Sequence, residues 1–433
     1  MSGTRQTAIP PRRGAGGYVM VMALLILAVL FVLGSSFMTL MVGESQIATS
    51  DRDLTLALNA AEAGVQQALR NAKASASLTT LLADATANTG NNGSGTLQSN
   101  VTYAFTITND PAENATPATD TNGTILITST GRVRNATRII EALAFVPKAT
   151  FPSALHVPGT EGDSNFAGVS FTVDGYDTNP GTPSTAESRI PGGTRKLGVS
   201  AGSTSVRNDI YNALSSAERT RPVFDGLAGD YGGQPSLGVD TSLDSNAAQN
   251  LATAWAGFAP PQNVVDIGRT TLNVSGTHTY TNGSGGAPTA SNNQAWGTPS
   301  QPGVFYVKGI SAADYAANPT GVSGALSVSG NFEGAGILIL DGADLSVSGN
   351  FRWEGIIIVT GPLVGFRIGG GGNQKVFGSV VVNERATDRC AVRADCNELI
   401  LLGNAKLAYS QMAINNAMRA LGQRFTYWNE RGA

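Results

Sequence analysis

Residues Tyr18 to Val42 read YVMVMALLILAVLFVLGSSFMTLMV, 25 residues without a charge. As a helix this run is about 37 Å long, more than the ~30 Å hydrocarbon core of a bilayer. A secretory signal peptide has an apolar stretch of only about 7–15 residues before its cleavage site. Here the run is longer, and helical patterning continues beyond it. Leu54, Leu58, Ala61, Val65 and Ala68 recur at steps of 4, 3, 4 and 3, one apolar stripe on a helix. Asp51, Asp53, Glu62 and Gln66 lie off that stripe, and no proline falls between Pro11 and Pro111. One continuous helix is expected over 18–73, membrane-spanning over 18–42 and amphipathic after it.

Charge placement adds an orientation. Residues 1–17 carry Arg5, Arg12 and Arg13 and no acid, so the net charge of -3 leaves -6 for the rest. A basic leader before an apolar span predicts a cytoplasmic N-terminus, with everything beyond the span outside. Charged residues are only 14% of the chain, and glycine reaches 53 of 433. That composition excludes a coiled coil, and the acidic balance excludes a phosphate-seeking nucleic-acid binder. Two histidines and two cysteines are poor equipment for acid–base, thiol or metal chemistry. The chain is expected not to be an enzyme and to need no cofactor or metal.

The leader ends in RRGAGG before Tyr18, and the amphipathic extension contains DRDLTLALNAAEAGVQQAL. This arrangement resembles the class III signal of type IV pilins and type II secretion pseudopilins. The element Asn59, Ala60, Ala61, Glu62 and Ala63 is similar to that of the PilX N-terminal class of minor pilins. The resemblance covers about 60 residues. It implies a prepilin peptidase that cuts after Gly17 and methylates Tyr18, with Gly14 as the alternative cut. Major pilins carry Glu at the fifth mature position; here that residue is Met22, and a cut after Gly14 makes it Val19. The departure argues for a minor, tip-proximal subunit.

Beyond the helix, VTYAFTITND (101–110), GTILITSTGRV (123–133) and RIIEALAFVP (138–147) read as strands between Asn/Gly/Pro-rich turns. They predict a small antiparallel sheet within residues 74–150, packed on the long helix. Residues 151–265 are irregular, with helices expected near 205–220 and 244–259, and form a mixed connecting region. The clearest repeat follows. LSVSGN stands at 326–331 and at 345–350, and Leu326–Leu338 matches Leu345–Ile357 at 9 of 13 positions. Gly-Asn recurs at 330, 349, 372 and 403, and Gly336, Gly355 and Gly378 each open an apolar run. LNVSG at 272–276 and GVFYVKG at 303–309 look like the same unit. A period near 20 with tight turns predicts a parallel β-helix over 266–410. Residues 411–433 are expected to cap it, with a helix through Met412, Ile414, Ala417 and Leu421 and a tail packed through Tyr427 and Trp428. The fold class is therefore α+β: cytoplasmic leader 1–17, long helix 18–73, β headgroup, connecting region, β-helix and cap.

Few residues suggest chemistry. Cys390 and Cys396 lie close together beyond the span, where a disulfide is expected. Asp174 with Asp177, and Asp341 with Asp344, offer oxygens for calcium but lack the spacing of an EF-hand loop and read as turns. Gly162-Asp163-Ser164 superficially resembles a hydrolase nucleophile block, without a base placed near it in sequence. The resulting expectation is a minor pilin that displays a large β-helix module for filament assembly or adhesion. The alternatives are a type II secretion tip pseudopilin and a membrane-anchored carbohydrate-binding β-helix protein. The resemblance implies as partners the prepilin peptidase, other minor pilins, the major pilin and a tip adhesin. It implies a bacterial inner-membrane site, then the periplasm or an external pilus.

Overall fold

The computed structural model describes residues 16–75, 78–113, 123–148, 150–167, 170–182, 185–286, 293–319, 323–385, 397–422 and 424–432. The expected helix is one element, α1 (Gly16–Ala74), of 59 residues. Its apolar run contacts nothing: the side chains from Tyr18 to Val42 are all exposed. Among the described residues it is the helix long and apolar enough to cross a membrane.

The second half of α1 lies on an antiparallel sheet of β1 (Asn92–Gln98), β2 (Val101–Asn109), β3 (Thr124–Val133) and β4 (Ala136–Phe145). Strand alternation sends Phe105, Ile107, Ile125, Ile127, Ile140 and Ala142 toward the helix, where they bury Val65, Ala68 and Leu69. β1 was not anticipated. Its sequence NGSGTLQ has no apolar alternation, and backbone pairing with β2 holds it.

A fifth strand completes this sheet. Arg424–Gly432 pairs antiparallel with β4, from Arg424 opposite Phe145 to Gly432 opposite Arg138. The terminal segment expected as part of a cap is thus the outer strand of the headgroup. Tyr427 and Trp428 stay 47% and 39% exposed. The segment between β4 and this strand, residues 146–423, leaves the sheet at one point and returns there.

Within it, strands pair in parallel and in register. Leu272, Leu326, Leu345, Phe366 and Leu399 form one column, which ends beside Ser164. A second column runs through Gly303, Gly336, Gly355, Gly378 and Tyr409. The identical LSVSGN segments therefore sit side by side, Leu326 on Leu345 and Val328 on Val347, with all four side chains buried.

The stacking reaches beyond the residues that predicted it. Ser153–Val157 pairs with Val380 and Val381, Ser164–Ala167 with Leu399–Leu402, and Leu197–Ala201 with both Ser153–Val157 and Leu237–Val239. Strands of the expected connecting region are thus added to the same sheets. The chain enters mid-stack at 153–157 and runs to one end at 237–239. The helix Ser245–Ala256 packs along the side, bonding Thr360 through Gln249 and Asn383 through the Ser245 carbonyl. The chain then restarts at the far end, near 264–274, and returns to mid-stack at 406–409. The helix Gln411–Met418 closes no open end, because Leu399–Leu402 and Lys406–Tyr409 are covered by earlier strands. It lies on the stack with Ala417 against Gly355.

The repeated Gly and Asn have separate causes. Gly336, Gly355 and Gly378 have φ of +125°, +142° and +137°. A Cβ on each would lie 2.0, 2.0 and 1.8 Å from the carbonyl oxygen of the glycine in the preceding layer. No other residue fits at these three positions. At the Gly-Asn turns the amides form a ladder: Asn350 Nδ2 donates to Asn331 Oδ1 at 2.8 Å, and the Asn373 N–H donates to Asn350 Oδ1 at 3.0 Å. Phe332 and Phe351 stack inside at 5.4 Å.

Val347→Asp places a charge in a column that is only 2% exposed, without a partner. It is expected to lower unfolding free energy by about 3 kcal/mol or more, while Ser346→Asp, on the other face, stays within about 1 kcal/mol. Urea unfolding of the detergent-solubilised chain measures both.

Candidate functional site

Among the described residues, the longest run of exposed large apolar side chains lies on α1. Its outer half has no cover. Its inner half has two faces. Ala57, Ala60, Ala61, Val65, Ala68 and Ala72 are fully buried under the sheet. Arg52, Thr55, Asn59, Glu62, Gln66, Arg70 and Lys73 form an exposed polar stripe at helical spacing.

The small residues bring helix and sheet into backbone contact. A Cβ on Gly131 of β3 would lie 1.9 Å from the Ala57 carbonyl oxygen, and one on Gly64 would lie 2.1 Å from Ser129 Oγ. Ser129 Oγ, fully buried, donates to the Ala61 carbonyl at 2.7 Å. The Asn-Ala-Ala-Glu-Ala element is split accordingly: Ala60 and Ala61 form the seam, while Asn59 and Glu62 face out. Arg134, in the β3–β4 turn, pairs with Asp53 at 3.0 Å. At the other end Asn71 Nδ2 donates to the Gly90 carbonyl, and Lys148 Nζ donates to the Lys73 and Ser75 carbonyls. The seam is therefore held at both ends as well as along its length.

With that geometry in view, comparison with known proteins is informative at this end of the chain. The family described as PilX N-terminal matches residues 15–66, which span the exposed apolar run and most of the seam. Over those residues, which are its N-terminal helix, the chain is similar to the PilX N-terminal family. No curated protein matches the sequence. The crystal structure of competence-associated pilin ComZ from Thermus thermophilus aligns at 13% identity and a TM-score of 0.24, covering 88% of this chain and 98% of that one.

The remaining sequence candidates are scattered. Gly17 and Tyr18 lie in the first turns of α1, where Tyr18 is 74% exposed. Cys390 and Cys396 lie outside the described residues. Asp174 pairs with Arg189 at 2.8 Å, and Asp177 Oδ1 accepts the Gln411 N–H. Asp341 faces Tyr306. These carboxylates take part in structural contacts and are not brought together.

Two clusters are assembled by long-range pairing, and of their members only Asp163 stood in a motif that the sequence singled out. Glu161, Asp163 and Glu398 bring carboxylate oxygens within 4.8 Å of one another, and each has further partners. His156 is fully buried between strands: Nδ1 lies 2.8 Å from Ser200 Oγ, which is 2.6 Å from Ser153 Oγ, and Nε2 donates to the Leu243 carbonyl at 2.6 Å. Burial pushes this imidazole below its usual pKa, against the opposing pull of the Leu243 carbonyl and Asp240.

Gly131→Val must push β3 off α1 and is expected to cost about 3 kcal/mol, against about 0.5 kcal/mol for Thr130→Val on the outer face. Urea unfolding distinguishes them. The neutral His156 gives a pH test. Its folded pKa lies below the unfolded value of about 6.5, so the unfolded chain binds the extra proton and stability falls as pH drops through that value. The urea midpoint should decline from pH 7 to pH 5, and His156→Gln should remove that part of the slope.

Proposed function

We propose that this chain is a minor pilin of a type IV pilus that displays an inserted parallel β-helix on a small headgroup. The reading rests on one observation above all. The PilX N-terminal match falls on a helix whose 25-residue apolar half is fully uncovered in the single chain. So many exposed apolar side chains need lipid first and a bundle of similar helices afterwards.

In this reading the leader is cut after Gly17, Tyr18 becomes the methylated N-terminus, and the helix crosses the inner membrane with its start in the cytoplasm. The processed subunit then leaves the bilayer sideways and packs among other minor pilins and the major pilin. Met22 supplies no carboxylate at the fifth mature position, so no charge has to be buried in lipid there. A subunit without that contact suits a tip-proximal place, near an adhesin. The protein works by assembly and display, and performs no catalysis.

The pairing of β4 with the C-terminal strand suggests a direct test. Residues 147–422 are replaced by a two-residue Asn-Gly turn, which joins β4 to its partner strand as a hairpin. The expected chain is inserted, cleaved and incorporated into filaments, yet loses the surface-binding phenotype. Wild-type binding by the shortened chain overturns the display role. Gly17→Val chains that enter filaments with residues 1–17 intact overturn the pilin role.

A further inference from the structure

Where the inserted segment joins the headgroup, a cleft of about 750 Å³ opens between the end of α1, the stretch after β4 and the helix Gln411–Met418. Lys73, Lys148 and Arg419 reach it from three separate elements, and none of its described lining residues is acidic. Among the described residues these cations have no carboxylate partner. Lys148 instead binds the carbonyls that end α1, as described above, and burial pulls its ammonium below the usual lysine pKa. Val146, Pro147 and Met418 give the cleft an apolar floor. Its described lining contains no aromatic ring on which a sugar could stack.

Gly422 lines the same cleft, and the C-terminal strand starts just beyond it. That strand is the edge of the five-stranded sheet, and its second side has no neighbour among the described strands. It runs nine residues without proline, and Phe425, Tyr427 and Trp428 are 42%, 47% and 39% exposed. Folded proteins normally protect such an edge, because its free N–H and C=O groups accept another strand. Phe425 and Trp428 meet edge-to-face at 5.2 Å, and their β4 partners Ala144 and Ala142 point toward α1. The two rings therefore occupy the helix side of the sheet.

We infer that this cleft and strand edge together bind an extended acidic peptide segment of a partner subunit. Main-chain hydrogen bonds to the free edge supply affinity, and alternate side chains reach the aromatic pair. Carboxylates at the leading end meet Lys73, Lys148 and Arg419. The charge pairing selects the segment, and the open edge requires it to be extended.

The test uses the full chain in detergent micelles and a fluorescein-labelled octapeptide of alternating Glu and Val. Anisotropy should show saturable binding that weakens with salt. The double variant Lys73→Gln/Arg419→Gln, at exposed positions, should bind at least tenfold more weakly with an unchanged melting temperature. Hydrogen exchange at residues 425–431 should slow when the peptide is bound. Arg419→Glu should gain binding to the matching Lys/Val peptide, which keeps the result readable if the double variant is unstable. Equal binding of both peptides by the wild type, or of the acidic peptide by wild type and double variant, overturns the inference. So does binding that leaves exchange on the strand unchanged, or equal competition by polyuronate or polyphosphate.

Discussion

The antiparallel pairing of Arg424–Gly432 with Ala136–Phe145 is the constraint from which the architecture follows. It makes everything between those strands an insertion in a hairpin, with both ends at one place. A stack of parallel strands wound from end to end separates its termini by its own height. At about 4.8 Å per layer, a stack of this kind would hold them tens of Å apart. The chain avoids that by starting mid-stack. Ser153–Val157 and Lys406–Tyr409 both pair with Gln374–Glu384, one with each half of that strand. The helix Ser245–Ala256 then carries the chain back along the side, which restores proximity of the ends without breaking the parallel order.

In-register stacking also decides which charges the stack tolerates. Identical positions become neighbours, so a charge in one layer meets the residue above and below it. Arg352, Lys375 and Lys406 form such a column. Glu187, from the loop that crosses this face, lies 2.9 Å from Lys375 and 3.5 Å from Lys406. Burial works against its ionisation, but the Lys375 hydrogen bond and the Lys406 field hold its carboxyl down at about 2. Arg352 donates instead to Glu354 and to the Pro180 carbonyl of the same loop. The loop is thus the counter-charge and cover for a face that repetition made basic.

What was legible in the sequence is what local chemistry enforces. The glycine column needs a residue without Cβ in three successive layers, so its spacing survives in the text as Gly336, Gly355 and Gly378. The Asn ladder leaves Gly-Asn in the same way. The strands within 153–239 leave no comparable trace: they are two to five residues long, and their partners lie mostly far away in sequence. The C-terminal strand was hidden for the same reason, since its partner β4 precedes it by almost the whole insertion. In α1, the Leu54–Ala68 stripe announced a buried face, but its alanines did not say how near the sheet would come. That depended on Gly131 and Ser129, whose roles appear only once β3 is laid across the helix.

The two halves of α1 are solved by opposite means. From Tyr18 to Val42, large apolar side chains face outward in every direction, which suits lipid or other helices and leaves the choice of neighbour open. From Ala57 to Ala72, small side chains admit one sheet at backbone distance, and the Ser129 hydroxyl bonded to the Ala61 carbonyl excludes a shift in register. The polar stripe from Arg52 to Lys73 stays outside that contact. Its one acid, Glu62, lies along the axis between Arg52 and the bases Arg70 and Lys73. A neighbouring helix of the same kind, laid parallel without offset, would set like charges side by side. An axial offset brings the acid beside a base, so this half of the helix favours staggered neighbours, while its own sheet stays fixed by the seam.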